Sequence, residues 1–416
     1  MSVLDWTAAL WVGWAAAAAD NPQALADRAV DANPSLKALE AQEAALRSRA
    51  DVAGAWTDPM LSMEYSNVPI TTLSIGDHPM AGIQLRAEQT LRPPRWSSLH
   101  RTVGHLRADA TGHATAEAAL QLRATVERTW WVLARTRLLR EVTTAHLART
   151  DELVEAARIR YETGGIGQHA VLRMEVLRDT LEDELGDFAR AETELIAALA
   201  QALADDATAP DSPTVLEAAP LPPEGDWIGV AELHRPLLQR LASEEEASTQ
   251  SAALARAEAA PDVSVWAGYR LRTVETGTES GTDLVSVGLG VPLPAGSARR
   301  AQGERQAALS GADAARATHA ASLDGITADM RAILARWERA HEKATTYGDT
   351  LIPGAQATLA TTLADFSVGR ADFASLFEAE VTLLQLERGR ITAAVETHLC
   401  RADATAVLGV DPSEGP

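Results

Sequence analysis

The sequence predicts a mainly α-helical fold with a small β part, in which one structural unit occurs twice. Three observations lead to this prediction. Apolar residues recur at heptad spacing over long stretches, which is typical of paired long helices. Four short segments alternate apolar and polar residues, which is the pattern of a β-strand. Similar residues return in the same order about 202 positions later, which indicates an internal duplication.

Composition argues against several classes of function. The chain has 416 residues, and 58 acidic side chains against 37 lysines and arginines give it a net charge of −21. This balance argues against nucleic-acid binding, which requires a basic face. The single cysteine, Cys400, excludes an intramolecular disulfide and a multi-cysteine metal centre. The sequence contains no run of 18 apolar residues, so it predicts no transmembrane helix.

Residues 1–20 are expected to form a signal peptide. Residues 3–19 are apolar and end in small residues, like the core and cleavage region of a secretory signal. Such signals begin with basic residues, whereas this chain has Asp5 at that place. Two alternatives therefore stay open, an alanine-rich helix start and a true start codon further upstream. No cysteine follows the apolar segment, so the sequence does not predict a lipoprotein.

The duplication defines the predicted domain organisation. The matching residues, given as first-copy and second-copy pairs, are Pro34 and Pro236, Pro59 and Pro261, Ile83 and Val285, Leu85 and Val287, Leu91 and Leu293, Tyr161 and Phe366, Gly164 and Gly369, Leu172 and Phe377, and Glu175 and Glu380. Residues 21–204 form the first repeat and residues 228–410 the second. Residues 205–227 form a proline-rich linker between them, and residues 411–416 form a tail.

Each repeat is predicted to begin with a helix and to continue into two strands. The helix covers residues 22–55 in the first repeat and 228–258 in the second, and the prolines at 59 and 261 end it. Residues 263–271 and 284–291 then alternate, with apolar side chains on one face. Residues 61–65 and 83–88 show the same alternation more weakly.

A long helical hairpin is predicted after the strands of each repeat. The second repeat has nine residues at alternating steps of three and four, a heptad seam made of Leu323, Ile326, Met330, Ile333, Trp337, Ala340, Ala344, Tyr347 and Leu351. The first repeat has a more polar series, Leu122, Val126, Thr129, Leu133 and Thr136. Its helix would span roughly 75 Å or more. A glycine turn then leads into a return helix of about 36 residues, and Pro353 is expected to kink the second long helix.

The strands require assembly. Four strands that are apolar on one face cannot close a barrel, and an open sheet exposes its edges. Several protomers can pool their strands, and three protomers would supply about twelve, within the range of outer-membrane barrels. The long helices would pool likewise into an extended tube. The residues expected to face lipid are Val265, Tyr269, Val285, Val287 and Leu289.

The sequence resembles the TolC-like outer-membrane efflux proteins over about residues 22–409. The resemblance rests on the duplication and on a shared order of motifs that are weak individually. These motifs are Asn33-Pro34, Asp58-Pro59, Tyr161-x-x-Gly164, Phe366-x-x-Gly369 and the strand exit Val287-Gly288-Leu289-Gly290-Val291-Pro292-Leu293. The resemblance implies long α-helical hairpins that form a trimeric α-barrel, with four strands per protomer in a shared 12-stranded transmembrane β-barrel. This assembly would be a passive exit duct in the outer membrane with a periplasmic helical domain. It implies a homotrimer in contact with outer-membrane lipid, a periplasmic adaptor and an inner-membrane pump as partners, and no nucleic acid.

The resemblance also implies functional residues at the two hairpin turns. In the family these tips close the tube and receive the adaptor, which here points to Tyr161, Gly164, Gly167, Leu172, Phe366, Gly369, Asp372 and Phe377. The glycines are expected to permit the sharp turns. The family commonly has acids six and nine residues after the second-tip glycine, where this chain has Ser375 and Glu378. These two residues are the candidate periplasmic gate, with Glu380 and Asp372 as alternative acids.

One stretch looks closest to the heavy-metal (cobalt–zinc–cadmium) branch of the family. It begins at Asp58-Pro59-Met60-Leu61, includes Asn67-Val68-Pro69, and reaches Met80 and Gln89. The match stops at Arg92-Pro93-Pro94-Arg95, where that branch usually has a Gly-Lys turn. Heavy-metal cations are therefore one expectation for the cargo, and this departure leaves the class open.

No catalytic, metal or cofactor site is predicted. His100, His105 and His113 form the densest histidine group, but their spacings of five and eight scatter them around a helix. Cys400 has no spaced histidine and asparagine context for a nucleophile. Trp130, Trp131 and Trp337 are expected to pack in the helical wall.

Two rival interpretations come from other classes of protein. A cytoplasmic or periplasmic coiled-coil scaffold explains the heptads and the acidity, but not the duplicated alternating strands. A periplasmic adaptor would have one hairpin between β-rich domains, which does not match the order of elements in this sequence.

Overall fold

The computed structural model describes residues 21–75, 78, 80–93, 95–204, 211, 216–272, 275–276, 279–280, 282–293 and 296–414. The predicted signal peptide and residues 205–210 and 212–215 of the predicted linker lie outside these residues. The chain divides into two compact units. One contains residues up to 37, 116–236 and from 323 onward, and the other contains 38–115 and 237–322. Each unit therefore contains segments of both predicted repeats.

The described residues form nine α-helices, which confirms the mainly helical prediction. They are α1 (Pro22–Ala32), α2 (Pro34–Val52), α3 (Trp96–Glu162), α4 (Gln168–Leu203), α5 (Trp227–His234), α6 (Pro236–Glu258), α7 (Ser297–Thr346), α8 (Ile352–Ser367) and α9 (Phe373–Leu408). A π-helical turn, Tyr347–Leu351, joins α7 to α8, and a short 3₁₀ helix, Pro412–Glu414, follows α9. Among these described elements, no helix combines the length and hydropathy needed to cross a bilayer.

The first predicted helix of each repeat is in fact a pair of helices. Asn33 and Arg235 have extended backbone, with ψ of 119° and 116°. Each precedes a proline, and the proline ring disfavours helical conformation in the residue before it. Asn33 caps the following helix, because its side-chain oxygen accepts a hydrogen bond from Ser35 N at 2.9 Å. The motif Asn33-Pro34 therefore opens the second helix of the chain and not the first.

Four strands form one antiparallel sheet. They are β1 (Met60–Ser66), β2 (Gly82–Leu91), β3 (Val263–Leu271) and β6 (Leu284–Gly290), in the order β1-β2-β3-β6. The bounds of β3 match the prediction, while β6 ends one residue early and the first two strands are longer than expected. Two strands of two residues, β4 (Glu275–Thr276) and β5 (Glu279–Ser280), form a separate pair that was not predicted.

The predicted heptad seam of the second repeat is confirmed from Ile326 to Ala344, whose side chains on α7 are buried. It fails at Leu351, which is 39% exposed, while the next residue, Ile352, is buried. The π-helical turn explains this, because it holds one extra residue and shifts the phase of the helix by one position. Pro353 has no N–H to donate to the preceding turn, so the expected distortion takes this form.

The hairpin turns depend on two glycines. Gly164 has φ of 76° and Gly369 has φ of 78°, in the left-handed region that favours glycine. Gly167 is different, because it precedes α4 with φ of −81° and ψ of 155°. The prediction that Gly167 permits the turn by its backbone freedom is therefore wrong. A Cβ atom there would instead lie 2.7 Å from Nδ1 of His169.

The described end of the linker packs against the second repeat. Ala219 is buried, its N–H donates to Thr397 Oγ1 at 2.7 Å, and Trp337 Nε1 donates to its carbonyl at 3.4 Å. His398 Nε2 lies 2.9 Å from the carbonyl oxygen of Glu217. These bonds hold residues 217–219 against α7 and α9.

Candidate functional site

The four-stranded sheet has one apolar face. Register places apolar side chains of all four strands opposite one another, with Leu85 facing Tyr269 and Tyr269 facing Val285. The apolar members of this face are Leu61, Met63, Tyr65, Ile83, Leu85, Ala87, Leu91, Val263, Val265, Ala267, Tyr269, Leu271, Val285, Val287 and Leu289, and the polar Gln89 also lies on it, opposite Val265. Val285 and Val287 are 74% and 78% exposed, so nothing in the described chain covers them. Such an exposed apolar surface requires an apolar surrounding or a partner.

The other face of the sheet is polar, and some of its side chains form hydrogen bonds or ion pairs with one another. Arg270 Nη2 donates to Gln84 Oε1 at 2.6 Å, and Arg86 forms an ion pair with Glu88 at 2.9 Å. The Arg86 guanidinium also lies 4.2 Å from the centre of the Trp266 ring, a cation–π contact. The two faces therefore differ sharply in chemistry, as the alternation of the sequence predicts.

Trp266 requires the glycine beside it. Gly288 is its cross-strand neighbour on β6, and a Cβ atom at that position would lie 2.3 Å from the indole ring. Any larger residue would push Trp266 away from β6 and from the Arg86 guanidinium. The glycines of the strand exit motif thus shape the polar face of the sheet.

The hairpin tips lie in the unit that contains residues 116–236 and those from 323 onward. The predicted tip residues fall into two groups, one exposed and one buried. Tyr161 and Leu172 are exposed, at 45% and 51%. Phe366 is buried at 4%, so its predicted presence on a docking surface is wrong. It packs in an apolar core with Phe373, because the two hairpins meet there. Phe377 is partly buried against the same core.

Two arginines of the first hairpin contact aromatic rings of the second. The Arg160 guanidinium lies 4.4 Å from the centre of the Phe366 ring, and its Nη2 donates to the Ser367 carbonyl at 3.3 Å. The Arg173 guanidinium lies 4.1 Å from the centre of the Phe377 ring. These contacts join the two tips within one chain.

The candidate gate residues lie on the first turns of α9. The Asp372 side chain caps the helix by accepting a hydrogen bond from Ser375 N at 2.9 Å. Hydrogen bonds from Ser375 lower the pKa of Asp372 below its ordinary value. Glu378 is exposed, whereas Glu380 is only 1% exposed. Glu380 is therefore not available as a pore acid in this chain.

A buried ionisable cluster was missed by sequence analysis. His146 on α3 is 1% exposed and lies between two glutamates of α9. Its Nδ1 is 2.6 Å from Glu380 Oε1, and its Nε2 is 2.8 Å from Glu387 Oε2. Arg149 Nη1 donates to Glu380 Oε1 at 3.3 Å. The cluster, defined as His146, Arg149, Glu380 and Glu387, connects the first hairpin to the second.

Electrostatics favour the charged form of this histidine. Burial alone would lower the pKa of His146, but hydrogen bonds and charges from Glu380 and Glu387 outweigh it, so that the pKa is raised. Burial would raise the pKa of Glu387, but the hydrogen bonds from His146 and Gln356 and the charges of His146 and Arg149 together outweigh it and lower that pKa. An imidazolium and a carboxylate therefore stabilise each other.

The spacing of polar residues in the sequence indicates this cluster. Beyond Thr136, the last residue of the predicted first-repeat seam, α3 buries the polar residues Thr143, His146 and Thr150, which are spaced by three and four residues. Glu380 and Glu387 are seven residues apart, which puts them on the same face of a helix. Polar residues at seam positions predict a partner on the facing helix.

The other singled-out residues have structural partners. His105 Nε2 lies 3.4 Å from Asp51, and His100 packs on Trp96 with ring centres 4.5 Å apart. Within the described parts of the chain, no three His, Cys, Asp or Glu side chains are grouped to hold a metal ion. Cys400 is fully buried, and burial raises its pKa to about 12. Trp130 and Trp337 are buried, as expected for packing residues.

Comparison with protein families gives one match. Residues 227–402 match the family of outer membrane efflux proteins. This segment begins at α5 and includes β3, β6 and α7 through most of α9. A search of curated proteins found no match.

Comparison with solved structures finds the same fold over nearly the whole chain. The outer membrane protein VceC from Vibrio cholerae is 17% identical with a TM-score of 0.75, and the alignment covers 94% of this chain and 96% of VceC. The open state of the outer membrane channel MtrE from Neisseria gonorrhoeae is 17% identical with a TM-score of 0.74, covering 94% and 89%. The outer membrane channel CmeC from Campylobacter jejuni is 14% identical with a TM-score of 0.71, covering 95% and 88%.

Proposed function

We propose that this chain is an outer-membrane efflux protein and the exit duct of a tripartite efflux system, which is supported by its family match over residues 227–402 and by its fold. It lies in the outer membrane with its helical domain in the periplasm. In this role it catalyses no reaction and provides a passive path for cargo that an inner-membrane pump drives outward. A periplasmic adaptor connects it to that pump.

The observation that carries this proposal is the apolar face of the sheet. An exposed apolar face across four strands is unfavourable in water but stable against hydrocarbon. Among the described strands, β1 and β6 each pair on one side only, so each has an edge open to another protomer. Three protomers joined at these edges give a closed barrel, with the apolar face toward lipid and the polar face toward the lumen. A scaffold protein has no use for such a face.

A matched pair of substitutions tests the membrane assembly. Val287→Arg places a charge on the apolar face and should cost about 2–4 kcal/mol near the bilayer midplane. Ser286→Arg, its neighbour on the polar face, should be tolerated because it would face water. The measurements are outer-membrane fractionation and the mass of the complex in mild detergent. A stable monomer, or equal assembly of both variants, would contradict the proposal.

The adaptor is proposed to bind at the hairpin tips. Three of the predicted tip residues are exposed, namely Tyr161 and Leu172 on the first tip and Asp372 on the second, and they are candidates for this contact. Phe366 is buried in the core. Alanine at Tyr161 and Leu172 together should weaken adaptor binding without loss of the trimer. Co-purification with co-expressed periplasmic adaptor proteins measures that binding.

Glu378 is proposed to contribute a ring of three carboxylates at the periplasmic gate. Three like charges at a narrow point attract cations and repel one another. Glu378→Ala should then weaken cation preference and block by divalent ions in single-channel recordings. Unchanged selectivity and block in an intact Glu378→Ala trimer would place the gate elsewhere.

The cargo class is proposed from the resemblance to the heavy-metal branch. Asp58-Pro59 and Asn67-Val68-Pro69 support it, and the departure at Arg92-Pro93 weighs against it. Deletion of the gene should raise sensitivity to cobalt, zinc or cadmium if this class is right. Sensitivity to organic toxins alone would assign the protein to drug efflux.

A further inference from the structure

The strongest unassigned feature of the molecule is the buried cluster of His146, Arg149, Glu380 and Glu387. We propose that His146 is a proton-binding site that couples the two helical hairpins of a chain. With its proton bound, His146 joins α3 to α9, and loss of that proton releases the link. We call this contact the latch.

The hydrogen-bond geometry assigns the charged form. Both ring nitrogens of His146 lie within 2.8 Å of a carboxylate oxygen. An ionised carboxylate only accepts hydrogen bonds, so each nitrogen needs a proton of its own to donate. A neutral imidazole has one N–H, and its other nitrogen would set a lone pair against a carboxylate. The observed geometry therefore fits the imidazolium.

Charge balance gives the same result. His146 and Arg149 on α3 face Glu380 and Glu387 on α9, which is two positive against two negative groups. Loss of the His146 proton would leave one carboxylate uncompensated at a site where His146 and Glu380 are each 1% exposed. Buried unpaired charge is strongly unfavourable.

Polar and charged side chains of α4, α8 and α9 lie around the cluster. Arg388 on α9 donates to Thr143 Oγ1 on α3 at 2.8 Å and forms an ion pair with Glu184 on α4, so these charges satisfy each other. On α8 the group nearest the cluster is uncharged, since Gln356 Nε2 donates to Glu387 Oε1 at 3.4 Å. The response of the latch to pH therefore depends on His146 at the alkaline limit and on Glu387 at the acid limit.

The pKa directions set the window in which the latch holds. The pKa of His146 is raised in the folded chain, so its contribution is complete below about pH 6.5 and is lost as pH rises through the folded value. The pKa of Glu387 is lowered, so its contribution is present above about pH 4.3 and is lost as pH falls through its folded value. The latch is strongest between these limits and weakens in alkaline conditions.

The test is amide hydrogen exchange in the full-length assembled protein. Peptides that cover residues 143–153 and 376–388 report opening between α3 and α9. At about pH 5.5, His146→Gln should exchange about tenfold faster than the unmodified protein, because glutamine carries no charge. At a higher pH, above the folded pKa of His146, the two should agree within about twofold, since the unmodified latch has then also lost its proton. Comparison at each pH removes the intrinsic effect of pH on exchange.

Two further variants serve as controls. His169→Gln changes an exposed histidine near the first tip and should leave the exchange of these peptides unaltered at both pH values. Glu387→Gln removes one of the two carboxylates at a partly exposed position and should move the loss of protection to lower pH, which keeps the test decisive if His146→Gln fails to assemble. Equal protection of His146→Gln at about pH 5.5, or an unmoved transition in Glu387→Gln, would overturn the latch.

Discussion

The two helical hairpins share one plan but solve the packing of their seams differently. In the first hairpin α3 runs unbroken over 67 residues, and part of its seam is polar, at Thr143, His146 and Thr150. In the second hairpin the seam of α7 is apolar, and a π-helical turn shifts its phase before α8. A polar seam is stable only with partners on the facing helix, whereas an apolar seam tolerates a change of phase.

Two glutamates at corresponding positions of the two repeats lie in different environments. Glu175 and Glu380 occupy matching positions after the two tips. Glu175 forms a partly exposed ion pair with Arg158 at 2.5 Å, while Glu380 is buried against His146. The same residue type at the same place in the repeat thus makes a surface contact in one copy and an interior contact in the other. The position in the repeat determines the backbone conformation, whereas the facing helix determines which contacts the side chain makes.

The largest difference is expected between the matching aromatic residues of the tips. Phe366→Ala should lower the free energy of unfolding by about 3–5 kcal/mol, because it empties a buried site. Tyr161→Ala should cost less than about 1 kcal/mol, because its side chain is 45% exposed. Denaturant unfolding of both variants measures this. Equal losses would mean that the two tips are packed alike.

A second difference concerns one glycine in each return helix. Gly389 on α9 faces the ring of Tyr347 from the π-helical turn, and a Cβ atom there would lie 2.5 Å from it. Gly389→Ala should therefore destabilise the protein by about 1–3 kcal/mol despite the better helix propensity of alanine. Gly186 on α4 has open space around it, so Gly186→Ala should stabilise by about 0.5–1 kcal/mol. Thermal unfolding gives both signs, and stabilisation by both changes would refute a packed π-helical turn.

The smallest effect is expected where the hairpins are alike. Gly164 and Gly369 both have positive φ, so alanine at either position should cost about 1 kcal/mol. The two losses should agree within about 0.5 kcal/mol and should add, because the glycines lie in separate turns. Thermal melts of the single and double variants check this. A loss at only one glycine would show that the tips differ in backbone as well as in side chains.

Much of the fold could be predicted because it depends on periodic patterns. The bounds of β3 and the buried face of α7 follow from period two and period 3.5 in the residues themselves. The breaks at Asn33 and Arg235 were missed, although the prolines that cause them were noted, because a proline can start a helix as well as stop one. Pro353 predicts a distortion near Leu351, but the sequence does not show that it takes the form of a π-helical turn with Tyr347 close to Gly389.

The candidate sites were less predictable. The apolar face of the sheet follows from alternation, and the structure places Val265, Tyr269, Val285, Val287 and Leu289 on it. Phe366 was assigned to a docking surface because the resemblance places the adaptor at the hairpin tips, but packing of the two hairpins buries it. His146 was not singled out, because its partners are 234 and 241 residues away in the sequence. Such contacts appear only when the hairpins are packed together.

The burial of Cys400 has a practical consequence for labelling chemistry. A thiol with a pKa of about 12 is a reactive thiolate in only about one molecule in ten thousand at pH 8. Its side chain is also closed to reagents, since it is fully buried on α9. Cysteines introduced at exposed positions such as Thr163 and Val368 can therefore carry probes or cross-linkers while the native thiol stays silent. The natural sequence already serves as a background for site-directed labelling of both tips.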